Sequence, residues 1–127
     1  MRALGATLVS RLGKGDIVLL FGELGAGKTT LVRGFMEAIG HSGPVRSPTF
    51  NLLQVFDTDP PVLHADLYRL ENPIGLGLEE YYDSHVCFIE WAERVPSLLR
   101  DPNVWAVHFS MAAGGRYVKI EPPQTGT

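Results

Sequence analysis

Ile17-Val18-Leu19-Leu20-Phe21-Gly22-Glu23-Leu24-Gly25-Ala26-Gly27-Lys28-Thr29-Thr30 decides the fold. Its first five residues are an apolar, β-branched run of strand type. Gly22, Gly27, Lys28 and Thr29 then fall at the spacing of a phosphate-binding loop, G-x-x-x-x-G-K-[ST]. From Thr29 to Ile39 the pattern is helical, with Leu31, Phe35 and Ile39 on one face and Gly40 suited to the left-handed position after a helix. Glycines let the loop backbone curl so that successive N–H groups point at a β-phosphate, and a helix opening at Lys28 adds the positive end of its dipole. Lys28 is placed to reach the β- and γ-phosphates, and the Thr29 hydroxyl to ligate Mg²⁺. A glycine-rich turn that merely carries Lys-Thr would not need the strand before it and the helix after it. The segment therefore predicts a nucleoside triphosphate site built from Gly22, Glu23, Leu24, Gly25, Ala26, Gly27, Lys28, Thr29 and Thr30.

Upstream, Leu4, Leu8 and Leu12 recur every fourth residue, which predicts an amphipathic helix over 2–12 ended by Gly13-Lys14-Gly15-Asp16. Downstream, 41–48 reads as a polar loop, 51–56 and 62–66 as two strands of a hairpin around Asp57-Thr58-Asp59-Pro60-Pro61, and 78–82 as one or two helical turns. Val86-Cys87-Phe88-Ile89-Glu90 reads as a buried strand and 92–99 as a short helix. Residues 104–110 and 117–120 form a hairpin around Gly114-Gly115, and 121–127 a frayed tail. Strands that alternate with helices early and pair as hairpins later predict an α/β fold of the phosphate-loop NTPase type, three layers around a mixed parallel and antiparallel sheet. No repeat or internal boundary is visible, so residues 1–127 are expected to form one domain.

Composition narrows the class. The chain has 127 residues and a net charge of −3, from 11 basic and 14 acidic side chains with no basic run, which argues against unaided nucleic-acid binding. Cys87 stands alone in an apolar strand and cannot form an internal disulfide. The start Met1-Arg2-Ala3-Leu4-Gly5 lacks the apolar region of a secretory signal and no stretch approaches the ~18 apolar residues of a membrane span, so a soluble cytoplasmic protein without a membrane partner is expected.

A phosphate loop needs a carboxylate at a neighbouring strand end to hold Mg²⁺ or to orient the attacking water. Val62-Leu63-His64-Ala65-Asp66 and Val86-Cys87-Phe88-Ile89-Glu90 each end an apolar run with an acid, where open α/β sheets collect their ligands. Either acid taken alone could equally be a solvated strand end; a sound phosphate loop nearby favours the functional reading. Thr49, in Ser47-Pro48-Thr49-Phe50, lies where a switch loop could sense a γ-phosphate, although a proline-stiffened junction explains the segment as well. Trp91 could stack on a base or simply pack. Arg46, Arg69 and Arg94 are unranked candidates for stabilising transferred charge, and the four histidines lack metal-ligand spacing. The absence of Asn-Lys-x-Asp argues against guanine, which leaves ATP as the favoured nucleotide.

Four motifs line up in order: Gly-Glu-Leu-Gly-Ala-Gly-Lys-Thr-Thr at 22–30, Ser-Pro-Thr-Phe at 47–50, His-Ala-Asp-Leu-Tyr-Arg-Leu at 64–70, and Ile-Glu-Trp-Ala-Glu-Arg at 89–94. Together they resemble the TsaE (YjeE) family, bacterial ATPases of tRNA threonylcarbamoyladenosine (t6A) biosynthesis, from about Leu4 to the last strands. The resemblance implies an ATPase that supports or resets a TsaB–TsaD complex, which transfers the threonylcarbamoyl group to tRNA. By the same resemblance Lys28 holds phosphates, Thr29 and Glu90 serve Mg²⁺, and Asp66 matches the catalytic Walker B acid. Thr49 then falls in a switch-like loop, and Trp91 matches the tryptophan that follows the glutamate. Two departures stand out. The chain starts inside a region that relatives begin several residues earlier and that helps cover the adenine, and Ala92 stands where proline is common. A small-molecule kinase using the same loop, and a non-catalytic nucleotide-sensing module, are the competing readings.

Overall fold

Three apolar runs, buried over almost their whole length, form the middle of one six-stranded sheet. A computed structural model of the chain describes residues 2–22, 27–45, 53–68, 77–112 and 115–124. Its elements are α1 (Arg2–Leu8), β1 (Ile17–Phe21), α2 (Lys28–Ala38), β2 (Leu53–Phe56), β3 (Val62–Asp66), β4 (Val86–Glu90), α3 (Pro96–Leu99), β5 (Trp105–Ala112) and β6 (Gly115–Glu121), with 3₁₀ turns at Leu78–Glu80 and Ala92–Arg94. The strand order is β2-β3-β4-β1-β5-β6. β3, β4, β1 and β5 run parallel, and β2 and β6 close the edges antiparallel. Strands covered on both faces must be apolar on both, which is why β3, β4 and β1 read as continuous apolar runs, whereas β5, next to the edge strand β6, alternates.

The period of two divides those runs between two cores. Val18, Leu20, Val62, Phe88, Val107 and Phe109 point to the face covered by α1 and α2. Ile17, Leu19, Leu63, Ala65, Cys87 and Ile89 point to the opposite face, where Leu78, Ala92 and Leu98 from the short helical turns lie over them. The result is the expected three-layer α/β arrangement with a mixed sheet. α1 meets α2 at Gly5, where a Cβ would fall on the Leu31 carbonyl oxygen and 2.7 Å from the Phe35 nitrogen.

Several boundaries differ from the sequence reading. α1 ends at Leu8, and Leu12 reaches the core from the turn that follows. The segment expected as one helix over 92–99 is broken at Val95, held at φ −128° and ψ 81°. The reason is Pro96, whose ring disfavours helical geometry in the residue before it. The expected tail is tied down through Gln124: Glu121 pairs with Ala106 in the β5–β6 ladder, and the Gln124 N–H donates to the Pro102 carbonyl at 2.8 Å. Helical turns expected over 78–82 shorten to the 3₁₀ turn.

Register places the site. Asp66 of β3 lies opposite Glu90 of β4, Glu90 opposite Leu20 of β1, and Leu20 opposite Val107 of β5. These residues form one row across the carboxyl edge of the parallel strands. The chain leaves β1 just beyond that row and returns as α2.

Candidate phosphate-binding site

Glycine occupies both described ends of the loop between β1 and α2 for a steric reason. Gly22 has φ +144°, and a Cβ there would lie 2.9 Å from the Phe109 side chain and carbonyl oxygen. Gly27 has φ +103°, the left-handed conformation, and caps α2 without any side-chain hydrogen bond. The first N–H groups of α2 are thus not engaged by a capping side chain, the condition under which a helix N-terminus receives an anion. Glu23, Leu24, Gly25 and Ala26 lie outside the described residues.

Lys28 opens α2 and is 5% exposed. Its ammonium donates to the Gly22 carbonyl at 2.8 Å and lies 3.6 Å from Glu90 Oε1. The second distance is too long for a good hydrogen bond, so Glu90 acts on Lys28 through charge. The Trp91 ring centre is 5.6 Å from the same ammonium, within cation–π range. Trp91 sits at φ 61° and ψ 44°, left-handed geometry that a bulky side chain rarely adopts. Tyr68 braces it with ring centres 4.8 Å apart, and Arg94 Nη2 donates to the Tyr68 carbonyl at 3.0 Å.

The two acids differ. Glu90 is buried, with Oε1 toward Lys28 and Oε2 2.7 Å from His64 Nε2. Asp66 is half-buried and accepts the Tyr68 N–H at Oδ1, 3.1 Å. Burial raises the Asp66 carboxyl above its ordinary 3.8; the Tyr68 N–H opposes that, the Glu90 charge adds to it, and Lys28 and His64 work against it. Lys28, Asp66 and the adjacent pair Glu90-Trp91, from three separate stretches of sequence, are thereby brought to one edge of the sheet beside a cavity of about 430 Å³ whose walls include Gly22, Lys28, Trp91, Phe109 and Met111. Thr29 and Thr30 follow in the first turn of α2, both partly buried. Thr49, Arg46 and Arg69 fall outside the described residues. Arg94 serves the Tyr68 carbonyl.

The donor set fits a magnesium nucleotide. Among the described residues no three acidic, histidine or cysteine side chains gather into a cation cage. Mg²⁺ does not need one, because it takes one or two carboxylates and completes its shell with phosphate and water. The Asp66–Glu90 pair, facing each other across β3 and β4, matches that demand.

His64 is the residue that reading the sequence for metal-ligand spacing passes over. Its signal was the period of two: it stands two positions before Asp66 and so shares that acid's face of β3.

A family model described as threonylcarbamoyl adenosine biosynthesis protein TsaE matches residues 1–118. The chain belongs to the TsaE family. Among TsaE relatives named tRNA threonylcarbamoyladenosine biosynthesis protein, that of Haemophilus influenzae is 41% identical over 96 residues, covering 72% of this chain and 61% of its own. The Streptomyces coelicolor protein is 43% identical over 109 residues, covering 80% and 74%, and that of Treponema pallidum 39% over 119 residues, covering 90% and 88%. The chain thus spans less than two thirds of the Haemophilus protein's length. The crystal structure of Bacillus subtilis YdiB superposes with a TM-score of 0.76 at 30% identity, covering 94% of this chain and 74% of that one.

Proposed function

We propose that this TsaE-family chain binds and hydrolyses MgATP, and that the hydrolysis supports t6A modification of tRNA by resetting a TsaB–TsaD transfer complex in the cytoplasm. The observation that carries the reading is the buried Lys28 ammonium, held between the Gly22 carbonyl and the Glu90 carboxylate at the N-terminus of α2. A lysine in that position exchanges its carbonyl contact for phosphate oxygens, gaining bonds between opposite charges in place of a bond to a neutral acceptor. Family membership supports the t6A assignment, since the relatives carry that process in their names.

In this reading the loop N–H groups and Lys28 fix the β- and γ-phosphates. Thr29 Oγ1 and Glu90 hold Mg²⁺, which supplies charge neutralisation at the phosphates. Asp66, whose proton affinity is raised by burial, orients the attacking water and accepts its proton. Trp91 closes the site beside Lys28, and Thr49, which follows α2 in sequence, senses the γ-phosphate.

ATP hydrolysis by the purified chain, alone and with TsaB, TsaD and tRNA, tests the proposal. We expect slow turnover alone, stimulation by the partner proteins with repeated rounds of modification, and loss of both in Lys28→Ala. Phosphate transfer to a small acceptor without a partner effect would replace this reading with the kinase. Full modification by an Asp66→Asn variant that binds ATP but does not hydrolyse it would replace it with the nucleotide-sensing module.

A further inference from the structure

We propose that His64 is the positioning residue of the metal-binding carboxylate: its Nε2–H holds Oε2 of Glu90 and leaves Oε1 alone turned toward Lys28 and the phosphate end of the site. The inference rests on the magnesium-nucleotide reading above and deepens it.

The geometry begins with register. His64 lies opposite Phe88, and Glu90 is the next residue of β4 on that same face. Two residues of strand advance about 6.6 Å, so an imidazole leaning along β3 meets the Glu90 carboxylate diagonally across the strand pair. The contact is 2.7 Å, with His64 0% and Glu90 4% exposed. Because a carboxylate only accepts, this contact puts the hydrogen on Nε2. His64 Nδ1 is buried with no partner among the described residues.

That orphaned atom argues against a packing role. A buried polar atom without a partner costs free energy, and an aliphatic side chain would fill the α2 face of β3 without that cost. The offset lies in what the other nitrogen does. The terminal torsion of glutamate is broad, so a carboxylate tethered at one oxygen loses a rotation that an untethered one keeps. Lys28 does not supply the tether, since its hydrogen bond goes to the Gly22 carbonyl and it stands 3.6 Å from Oε1. Mg²⁺ requires near-ideal octahedral geometry, so a single oriented oxygen matters to its binding.

Calorimetry with a non-hydrolysable ATP analogue, with and without Mg²⁺, on the wild type, His64→Leu and His64→Gln provides the test. Metal-free affinity is expected to stay within about twofold in all three, because the loop and Lys28 are untouched. The gain in affinity on adding Mg²⁺ is expected to fall about tenfold or more in His64→Leu, and to return largely in His64→Gln, whose amide N–H reaches the place of Nε2. An undiminished gain in His64→Leu, or equal losses in two folded variants, overturns the proposal. Nitrogen-15 histidine spectra of the nucleotide-free wild type decide independently of how the variants fold. An Nε2–H tautomer for His64 that shifts in Glu90→Gln supports the tether, and an Nδ1–H tautomer overturns it. Failure of the underlying reading looks different: the wild type itself would bind no nucleotide.

Discussion

The Lys28 ammonium has three neighbours, a carbonyl, a carboxylate and an indole face, so its removal touches both ligand binding and the folded site. Lys28→Ala takes away the fixed countercharge for phosphate, so ATP affinity is expected to fall at least about tenfold, or about 1.4 kcal/mol. It also leaves the buried Glu90 with His64 as its remaining partner among the described residues, and an expected loss of about 1–3 kcal/mol of folding stability follows. Unchanged nucleotide binding by calorimetry would remove Lys28 from the site. Asp66 is predicted to behave in the opposite sense. Its proton is held more tightly in the folded chain than in the unfolded one, so its contribution favours folding at low pH and is lost as pH rises through the folded value. At neutral pH the ionised group is a net cost. Asp66→Asn should therefore stabilise the nucleotide-free protein while abolishing hydrolysis, a trade common at functional sites. Thermal melts from about pH 4 to about pH 8 should show the advantage of the variant growing with pH; a constant difference would mean that desolvation of Asp66 is not its source.

Between elements, the contact that seats α2 is the crossing at Gly5. Helix propensity alone favours alanine there by roughly 1 kcal/mol. The close approach of the Leu31 and Phe35 backbone reverses that sign, because relief requires moving α1 rather than a flexible side chain. Gly5→Ala is expected to destabilise by about 1–3 kcal/mol in chemical denaturation, and a stabilised variant would show that α1 yields easily. No single helical pattern announces such a crossing, and this is where the sequence ran out more generally. β1, β3 and β4 were legible to the residue because continuous apolar runs ending in Gly22, Asp66 and Glu90 leave little choice of boundary. The helix over 92–99 was misread because Pro96 acts backwards on Val95. β6 was read short because Glu121 looks like tail until its place beside Ala106 is known. In the site, Lys28, Asp66 and Glu90 were legible from local motifs. His64 was not, because its partner Glu90 lies 26 residues away and only strand register brings the two together.

Over the whole molecule, Cys87 reports on the cohesion of the sheet that carries the site. It is fully buried in the central strand β4, and burial pushes its thiol from the ordinary 9.0 up to about 12. Tyr82, packed against the same core, is likewise pushed from 10.0 to about 12, by burial first and then by the charge of Glu79. Both groups ionise earlier in the unfolded chain, so stability is present below about pH 9 and declines as pH rises toward 12. The same burial makes the thiol inert, since the thiolate is the reactive form and no alkylating reagent reaches it through two covered faces. Cys87 alkylation at neutral pH is therefore expected to be slow and to track the population of the opened chain. If MgATP binds at the row of Asp66, Glu90 and Leu20, it ties β3, β4 and β1 to α2 and shifts that population by mass action. A nucleotide concentration of about 100 times Kd should slow alkylation about a hundredfold, equivalent to about 2.7 kcal/mol. Intact-mass measurement over time, with and without MgATP, checks this. Rapid labelling that MgATP leaves untouched would mean that β4 opens by itself, and that the carboxyl edge is not closed by the ligand as a unit.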